Sequence, residues 1–368
     1  MTVAIMVTTF ASTLGSFEWQ ALCGGFTPDL DDIAAERGFF GLVPEGIYVY
    51  GTFRTSNGAM HTPARRLPFG VDKGDAGVQG DQRLSMGRRL AVQTTNDSPD
   101  GQQHFDVPTM RASASGADLT VERTSEAVVY RAAGDRSMLV EVSPTKLHWN
   151  EEGTLDLRGE LVGSGLHWYL PGRDLGMYYT SQIYEVSGSI YGEQVTGFVP
   201  FDPVYMVEGA SLYAEKDILE GEQLCLSWYT WGTRWDDGTV EVGHTLAGHD
   251  QFGLCIATDA EGITIQTNRV DAAFEWASDE YHVARVEFDV DGEQWEFIAD
   301  PHGTQPDMGA IPNPQQEGLM QRVGETRSPL HWTSWGEANI AHKPPRRRRF
   351  TTARSTHSHP RRNPHSIE

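Results

Sequence analysis

The residues of this chain best suited to moving a proton lie between Tyr178 and Met206, in the stretch YYTSQIYEVSGSIYGEQVTGFVPFDPVYM. Tyr178, Tyr179, Tyr184 and Tyr191 precede a single acid, Asp202, which sits between Phe201 and Pro203. A carboxyl group beside phenols in an apolar setting is a general acid or base. Gly188 and Gly192 bracket a turn between two strand-like runs, and Asp202 is expected where the second run ends. The plainer reading is structural, because Asp-Pro commonly starts a turn.

Other constellations are weaker. There is no phosphate loop, dinucleotide fingerprint or nucleophile elbow where the fold would support one. His244 and His249 flank a glycine without the spacing of a metal site, so both read as loop or surface residues and no metal is expected. Glu287 and Asp289 alternate along VEFDVDGEQ. Such a pair could serve a jelly-roll glycosidase, but the wet face of a hairpin explains them as well. The aromatic run SWYTWGTRWDDG says more. Alternation puts Trp228 on one face of its strand and Tyr229 with Trp231 on the other, so both faces must be covered. One of them either fills a core or lines an apolar ligand cavity.

These side chains must be positioned by strands. A strand is expected over Ile47–Phe53, with a hairpin turn at Asn57-Gly58. Further hairpins are expected at Gly134-Asp135, Glu152-Gly153, Asp237-Gly238, Glu261-Gly262 and Asp291-Gly292, each between alternating runs. In the last, Val286, Phe288 and Val290 face one way, and Glu287 and Asp289 the other. That pattern is an antiparallel sheet with one wet face. Helical periodicity is almost absent, apart from a short helix near Asp31–Arg37. The fold class is all-β.

Of the 368 residues, 39% are hydrophobic and 10% aromatic, enough for a substantial core. The net charge is −22, and residues 343–368 run against it: that basic segment carries +7, leaving −29 on residues 1–342. So acidic a body repels nucleic-acid phosphates and anionic lipid surfaces, and no nucleic-acid partner is expected. Residues 343–368 have no strand pattern and read as a disordered basic tail. Cys23, Cys225 and Cys255 are odd in number and lack a Cys-x-x-Cys spacing, so reduced thiols and a cytoplasmic location are expected. The opening MTVAIMVTTFASTLG has no Lys or Arg before its apolar run, unlike a signal peptide. No apolar run approaches the roughly 18 residues of a membrane span.

The segment Tyr178–Asp202 resembles the conserved middle of the carotenoid hydratase (hydroxyneurosporene synthase)/AttH-like lipocalin superfamily, which has lipocalin-like pericyclase relatives. Tyr178-Tyr179-Thr180-Ser181 matches that family's Tyr-Tyr-Ser opening. Val186-Ser187-Gly188 matches its strand, and Val195 and Gly197 precede Asp202 at the family's spacing. Trp231–Gly238 fits the second barrel. Two departures stand out: Pro200 replaces the family's Trp before the acid, and Pro203 its His after it.

The resemblance implies two tandem lipocalin-like β-barrels with few short helices, divided here as 1–185 and 186–342 before the tail. A hydrophobic ligand would be held near their junction. It implies a cofactor-independent lyase or hydratase, or an isomerase or cyclase, acting on an isoprenoid, steroid or polyketide-type molecule. Asp202 would donate the proton, and Tyr179 and Tyr184 would orient it or the substrate. Tyr178, Ser181, Phe201, Trp228, Tyr229 and Trp231 would contact the substrate. The alternative is a non-catalytic carrier of the same ligands, and the glycosidase is a third reading. A homodimer is left open.

Overall fold

A computed structural model describes residues 21–68, 89–116, 119–134, 136–170, 176–210, 212, 227–248, 253–306 and 314–338. The N-terminal run, Cys225, His249 and the basic tail lie outside the described residues. The chain is almost entirely β. Its first group of strands is β1 (Leu22–Phe26), β2 (Val43–Tyr50), β3 (Phe53–Arg54), β4 (Met60–Pro68), β5 (Ala91–Thr94), β6 (His104–Phe105), β7 (Thr120–Arg123), β8 (Val128–Ala132), β9 (Met138–Val142), β10 (Lys146–Glu151), β11 (Leu155–Leu161), β12 (Gly165–Leu170), β13 (Met177–Ile190) and β14 (Glu193–Met206). The second group is β15 (Ser227–Trp235), β16 (Val240–Ala247), β17 (Gly253–Asp259), β18 (Gly262–Thr267), β19 (Val270–Trp276), β20 (Val283–Val290), β21 (Glu293–Gln305), β22 (Gln315–Arg322) and β23 (Pro329–Ala338). Two short helices, Leu30–Ala34 and Val107–Ala112, are capped by Asp29 and Asp106.

The strands form two antiparallel sheets. The first runs β6-β5-β4-β2-β14-β13-β11-β10-β9-β8-β7, with β12 and β1 continuing from β13 and β3 pairing with β4. The second runs β18-β17-β16-β15-β23-β22-β21-β20-β19. Each curls round its own core. In the first, Val92 of β5 shares an interior with Val128 of β8 and Trp149 of β10. In the second, Cys255 and Ala257 of β17 share one with Val270 and Ala272 of β19. Among the described residues β6 does not pair with β7, nor β18 with β19. No helix among the described residues is long and apolar enough to cross a membrane.

The turns carry the register. The Asp-Gly and Glu-Gly hairpins expected from sequence join paired strands: β10 with β11, β15 with β16, β17 with β18, and β20 with β21. β8 also pairs with β9 across the turn expected at Gly134-Asp135, of which Asp135 lies outside the described residues. The expected division at 185/186 falls inside β13. Tyr191 (φ 53°) and Gly192 (φ 81°) form a tight left-handed turn, and Ile190 pairs with Glu193 across it. Such a turn keeps both long arms in one sheet. The first sheet therefore extends to Met206, and the second begins at Ser227.

The sheets meet along a buried seam. Tyr50, Trp168, Tyr179 and Val204 from the first pack in one apolar cluster with Val242, Leu246, Ile256 and Trp335 from the second. At its rim Arg54 of β3 bonds the Trp332 carbonyl and Asp300 of the second sheet at 3.0 and 3.1 Å.

Candidate functional site

Asp202 lies in the middle of β14, opposite Tyr48 of β2, and not in a turn. The sequence expectation of a strand end fails for a physical reason. Proline in a strand removes one ladder donor, and here the neighbouring pairs absorb the loss. On the β13 side the regular register runs up to Gln182↔Phe201 and resumes at Tyr179↔Val204. Within that interruption Thr180 Oγ1 donates to the Pro203 carbonyl at 3.3 Å. The gap leaves Ser181 and Asp202 facing the seam.

The Asp202 side chain has no exposure to solvent. Tyr50 Oη and Tyr179 Oη both donate to its Oδ2, each at 2.6 Å. Its Oδ1 has no hydrogen-bond partner among the described residues. Burial pushes the carboxyl up to about 7, against the pull of Ser181, Tyr179 and Tyr50. Ser181 Oγ is close enough to exert that pull without being aligned in a hydrogen bond. Burial, followed by the nearby carboxylate, drives both phenols well above their ordinary range, so they remain donors. Because Oδ2 already receives two phenol protons, the proton of the neutral acid belongs on Oδ1.

The second sheet completes the arrangement. Thr230 Oγ1 lies 3.0 Å from Tyr50 Oη and 2.9 Å from His244 Nδ1. Thr230 and His244 are directly opposed on β15 and β16, and Trp335 opposes Thr230 on β23. A phenol has one proton. With Tyr50's on Asp202, the Thr230 hydroxyl donates to Tyr50 and His244 Nδ1–H donates to Thr230. A continuous chain then runs from His244 to Asp202 across both sheets. Burial holds the imidazole down at about 3, so it is neutral at ordinary pH. Its Nε2 has no partner among the described residues.

Aromatic rings enclose this chain. Trp168 stacks on Tyr179 at 4.8 Å between centroids, with 9° between planes. Trp228 lies 5.9 Å from His244 and 6.2 Å from both Tyr50 and Tyr179. Trp335 meets Tyr50 edge-on at 5.0 Å. The indole N–H groups of Trp168, Trp228 and Trp335 have no acceptor among the described residues. Buried polar atoms are nearly always paired, so these three unpaired donors stand out around the chain from His244 to Asp202.

Of the residues singled out from sequence, the fold gathers Asp202, Tyr179, Ser181 and Trp228. It places the others elsewhere. Tyr184 is inside the first sheet, its hydroxyl bonded to Gln182 Oε1 at 2.9 Å and the Ser143 carbonyl at 3.1 Å. Phe201 lies in that same interior near Tyr130, and Tyr178 packs on Phe39 and Tyr205. Tyr229 and Trp231 fill the second sheet's core against Phe297 and Trp295, with Trp231 Nε1 on Thr245 Oγ1 at 3.1 Å. The rule is parity: residues an odd number apart in a strand point to opposite faces. Trp231→Ala is accordingly expected to cost about 3–5 kcal/mol of stability in urea unfolding, as a core truncation. Trp228→Ala, at the partly covered seam, should cost clearly less.

Tyr50, Thr230, His244, Trp168 and Trp335 escaped the sequence reading. His244, expected in a loop or on the surface, is fully buried in β16. The alternation of Tyr48 and Tyr50 marked a strand, but nothing local indicated a partner at Asp202. Glu287 and Asp289 lie on the outer face of β20. Glu287 pairs with Arg285, and Asp289 accepts from the Gly292 amide and the Gln294 side chain. A separate open cleft of about 510 Å³ borders the seam around Glu185, Arg234 and His331. Burial alone would raise the Glu185 carboxyl, but hydrogen bonds from His331 and Arg234 outweigh it and hold it at about 2. With its charges already matched, this cleft fits an inter-sheet latch better than a reaction site.

No family model matches the chain, and no curated protein matches it. Among solved structures it is similar to an AttH protein from Nitrosomonas europaea, at 14% identity over 80% of this chain and 92% of that one, with a TM-score of 0.41. It is similar to CghA solved with Sch210972, at 11% identity over 87% and 98%, TM-score 0.43. It is also similar to kievitone hydratase from Nectria haematococca, at 9% identity over 85% and 96%, TM-score 0.44. These are distant likenesses, and nothing of the site's chemistry is taken from them.

Proposed function

We propose that the chain is a proton-transfer enzyme of the hydratase/lyase or isomerase/cyclase kind, acting on a hydrophobic isoprenoid, steroid or polyketide-type molecule in the seam. The observation that carries this reading is the Asp202 carboxyl: fully buried, raised to about 7, fixed through Oδ2 by two tyrosines and free at Oδ1. A carrier needs the apolar space but has no use for an aimed acid, whose burial costs stability.

In the proposed reaction Asp202 Oδ1–H protonates a carbon–carbon double bond or a departing hydroxyl. A C–H bond forms, or water leaves, and positive charge develops on carbon. The faces of Trp168, Trp228 and Trp335 stabilise that charge. His244 Nε2 then takes a proton from attacking water or from the carbon next to the cation, and even a weak base suffices beside a carbocation. The chain through Thr230 and Tyr50 returns a proton to Asp202 at Oδ2, which restores the charge of both end groups. Before the next cycle the acid proton shifts to Oδ1, His244 exchanges back to its Nδ1–H tautomer and the two hydroxyls reorient. The reading asks for no cofactor.

The test is deuterium incorporation. The protein is incubated in D2O with a panel of terpenoid and polyene alkenes, and the products are read by mass spectrometry. The expected result is one deuteron bound to carbon with the wild type and none with Asp202→Asn. Equal incorporation by both would remove Asp202 from the chemistry. Thr230→Val, which cuts the chain but leaves the acid, is expected to slow turnover by about tenfold or more.

A further inference from the structure

Gln93 and Gln305 are the described side chains whose amides lack a partner at both the nitrogen and the oxygen. Gln93 has no exposure and Gln305 only 2%. An unpaired buried amide is costly, and one unpaired at both ends is costlier.

Both face the seam. Gln93 of β5 opposes Thr62 of β4 and lies two residues from Ala91, a member of the seam cluster. Thr62 bonds Thr52 at 3.1 Å, and the Thr52 carbonyl accepts from Thr333 of the second sheet at 2.9 Å. Gln305 opposes Gln315, which opposes Glu337, which opposes Trp228. Residues directly opposed on paired strands share a face, so this row runs along the second sheet from the aromatic site to Gln305. The Gln315 amide nitrogen is bound to Glu337, while its oxygen has no partner among the described residues. Gln103, beside β6, donates to the Gly303 carbonyl at 3.4 Å, which seats the β5–β6 edge over β21. Gln93 lies three strands from β14 and Gln305 three strands from β15, roughly 14 Å across each sheet before any offset along the strands is added.

We infer that Gln93 and Gln305 form a recognition subsite for an uncharged group offering both a donor and an acceptor, such as an amide, lactam or hydroxy-ketone, at the far end of an apolar substrate. Each glutamine amide presents one N–H face and one C=O face, which such a group matches and a hydrocarbon does not. A carboxylate is disfavoured, because Glu337 and Glu317 border the same row and the amides carry no compensating charge. The inference rests on the proposed function only in taking the seam as the substrate site. It narrows the substrate from any greasy molecule to one with an apolar skeleton and a polar, neutral head.

The test compares dodecanamide with 1-dodecene, followed by the protein's tryptophan fluorescence. A purely apolar cavity would prefer the alkene. The expected result is at least about tenfold tighter binding of the amide, because a site built to hydrogen-bond rejects an analogue lacking the group. In Gln93→Leu/Gln305→Leu the preference should fall to within about twofold or reverse. Gln305→Met alone should move it in the same direction. Leucine also removes the unpaired amides, so the double variant should melt no lower than the parent. Equal affinities in the wild type, a preference that survives the double variant, or a melting temperature several degrees lower would each overturn the inference. Asp202→Asn should keep the amide preference. If that variant also kept its turnover, the proposed chemistry would fall and the subsite would stand.

Discussion

Replacing Asp202 with asparagine is expected to abolish proton transfer while making the protein more stable at pH 8. Loss of a general acid costs about 10²–10⁴-fold in rate. The stability change follows from linkage. The folded-state pKa is raised to about 7 from an ordinary 3.8, chiefly by burial. Between those values the native state holds a proton that the unfolded chain has released, so stability falls as pH rises and stays low above about 7. The full penalty is about 4 kcal/mol at one pKa unit per 1.36 kcal/mol. Asparagine is neutral, and its Oδ1 can still accept both phenol protons. Measured by urea unfolding, the advantage of Asp202→Asn over the wild type should be about 2–3 kcal/mol larger at pH 8 than at pH 5. Glu317, also raised to about 7 by burial, titrates in both proteins and cancels from the comparison. A stability gap independent of pH would mean that Asp202 is not held as described. In the wild type, turnover that needs the acid form should decline as pH rises through about 7.

The second large effect lies inside the first sheet, far from the seam. Arg65 of β4 reaches across the interior to Glu151 of β10, with Nε to Oε1 at 2.5 Å and Nη2 to Oε2 at 2.7 Å. Trp149 Nε1 also donates to Glu151, at 3.1 Å, and both guanidinium ends reach the Ala114 carbonyl at 3.3 Å. Both side chains are nearly sealed from water, at 0% and 2% exposure. Glu151→Ala removes the counter-charge from a buried guanidinium and is expected to cost about 3–5 kcal/mol. Arg65→Leu/Glu151→Leu, which removes both charges together, should be markedly less destabilising than the single change. The urea midpoints of the two variants check the order. The reverse order would mean that the pair contributes little beyond the volume it fills.

The fold was legible where local chemistry decides it. Asp-Gly and Glu-Gly turns between alternating runs are short-range signals, and the hairpins they mark are all present. A tight glycine turn such as Tyr191-Gly192 looks the same in sequence whether its arms share a sheet or part company. Asp202 was legible as an acid among aromatics, but its address was not. Asp-Pro suggests a turn, and only the pairing of β14 between β2 and β13 puts the pair in mid-strand. Parity within a strand already separates Trp228 from Tyr229 and Trp231, and Tyr179 from Tyr184. The partners from other strands could not be read that way. Tyr50 is 152 residues from Asp202 in sequence and Thr230 is 180 from Tyr50, distances at which no local pattern carries information. The same holds for Gln93 and Gln305, which read as ordinary polar positions until both sheets bury them.

The most direct measurement is infrared titration of the Asp202 carboxyl, taken as the difference between wild type and Asp202→Asn from pH 5 to pH 9. The protonated acid has a carbonyl stretch well separated from the carboxylate bands. The account predicts that this band is present at pH 5, is lost with a midpoint near 7, and is absent from the variant at every pH. A difference spectrum that already shows only carboxylate at pH 5 would contradict it, because an acid ionised there has no proton to give in the seam at neutral pH.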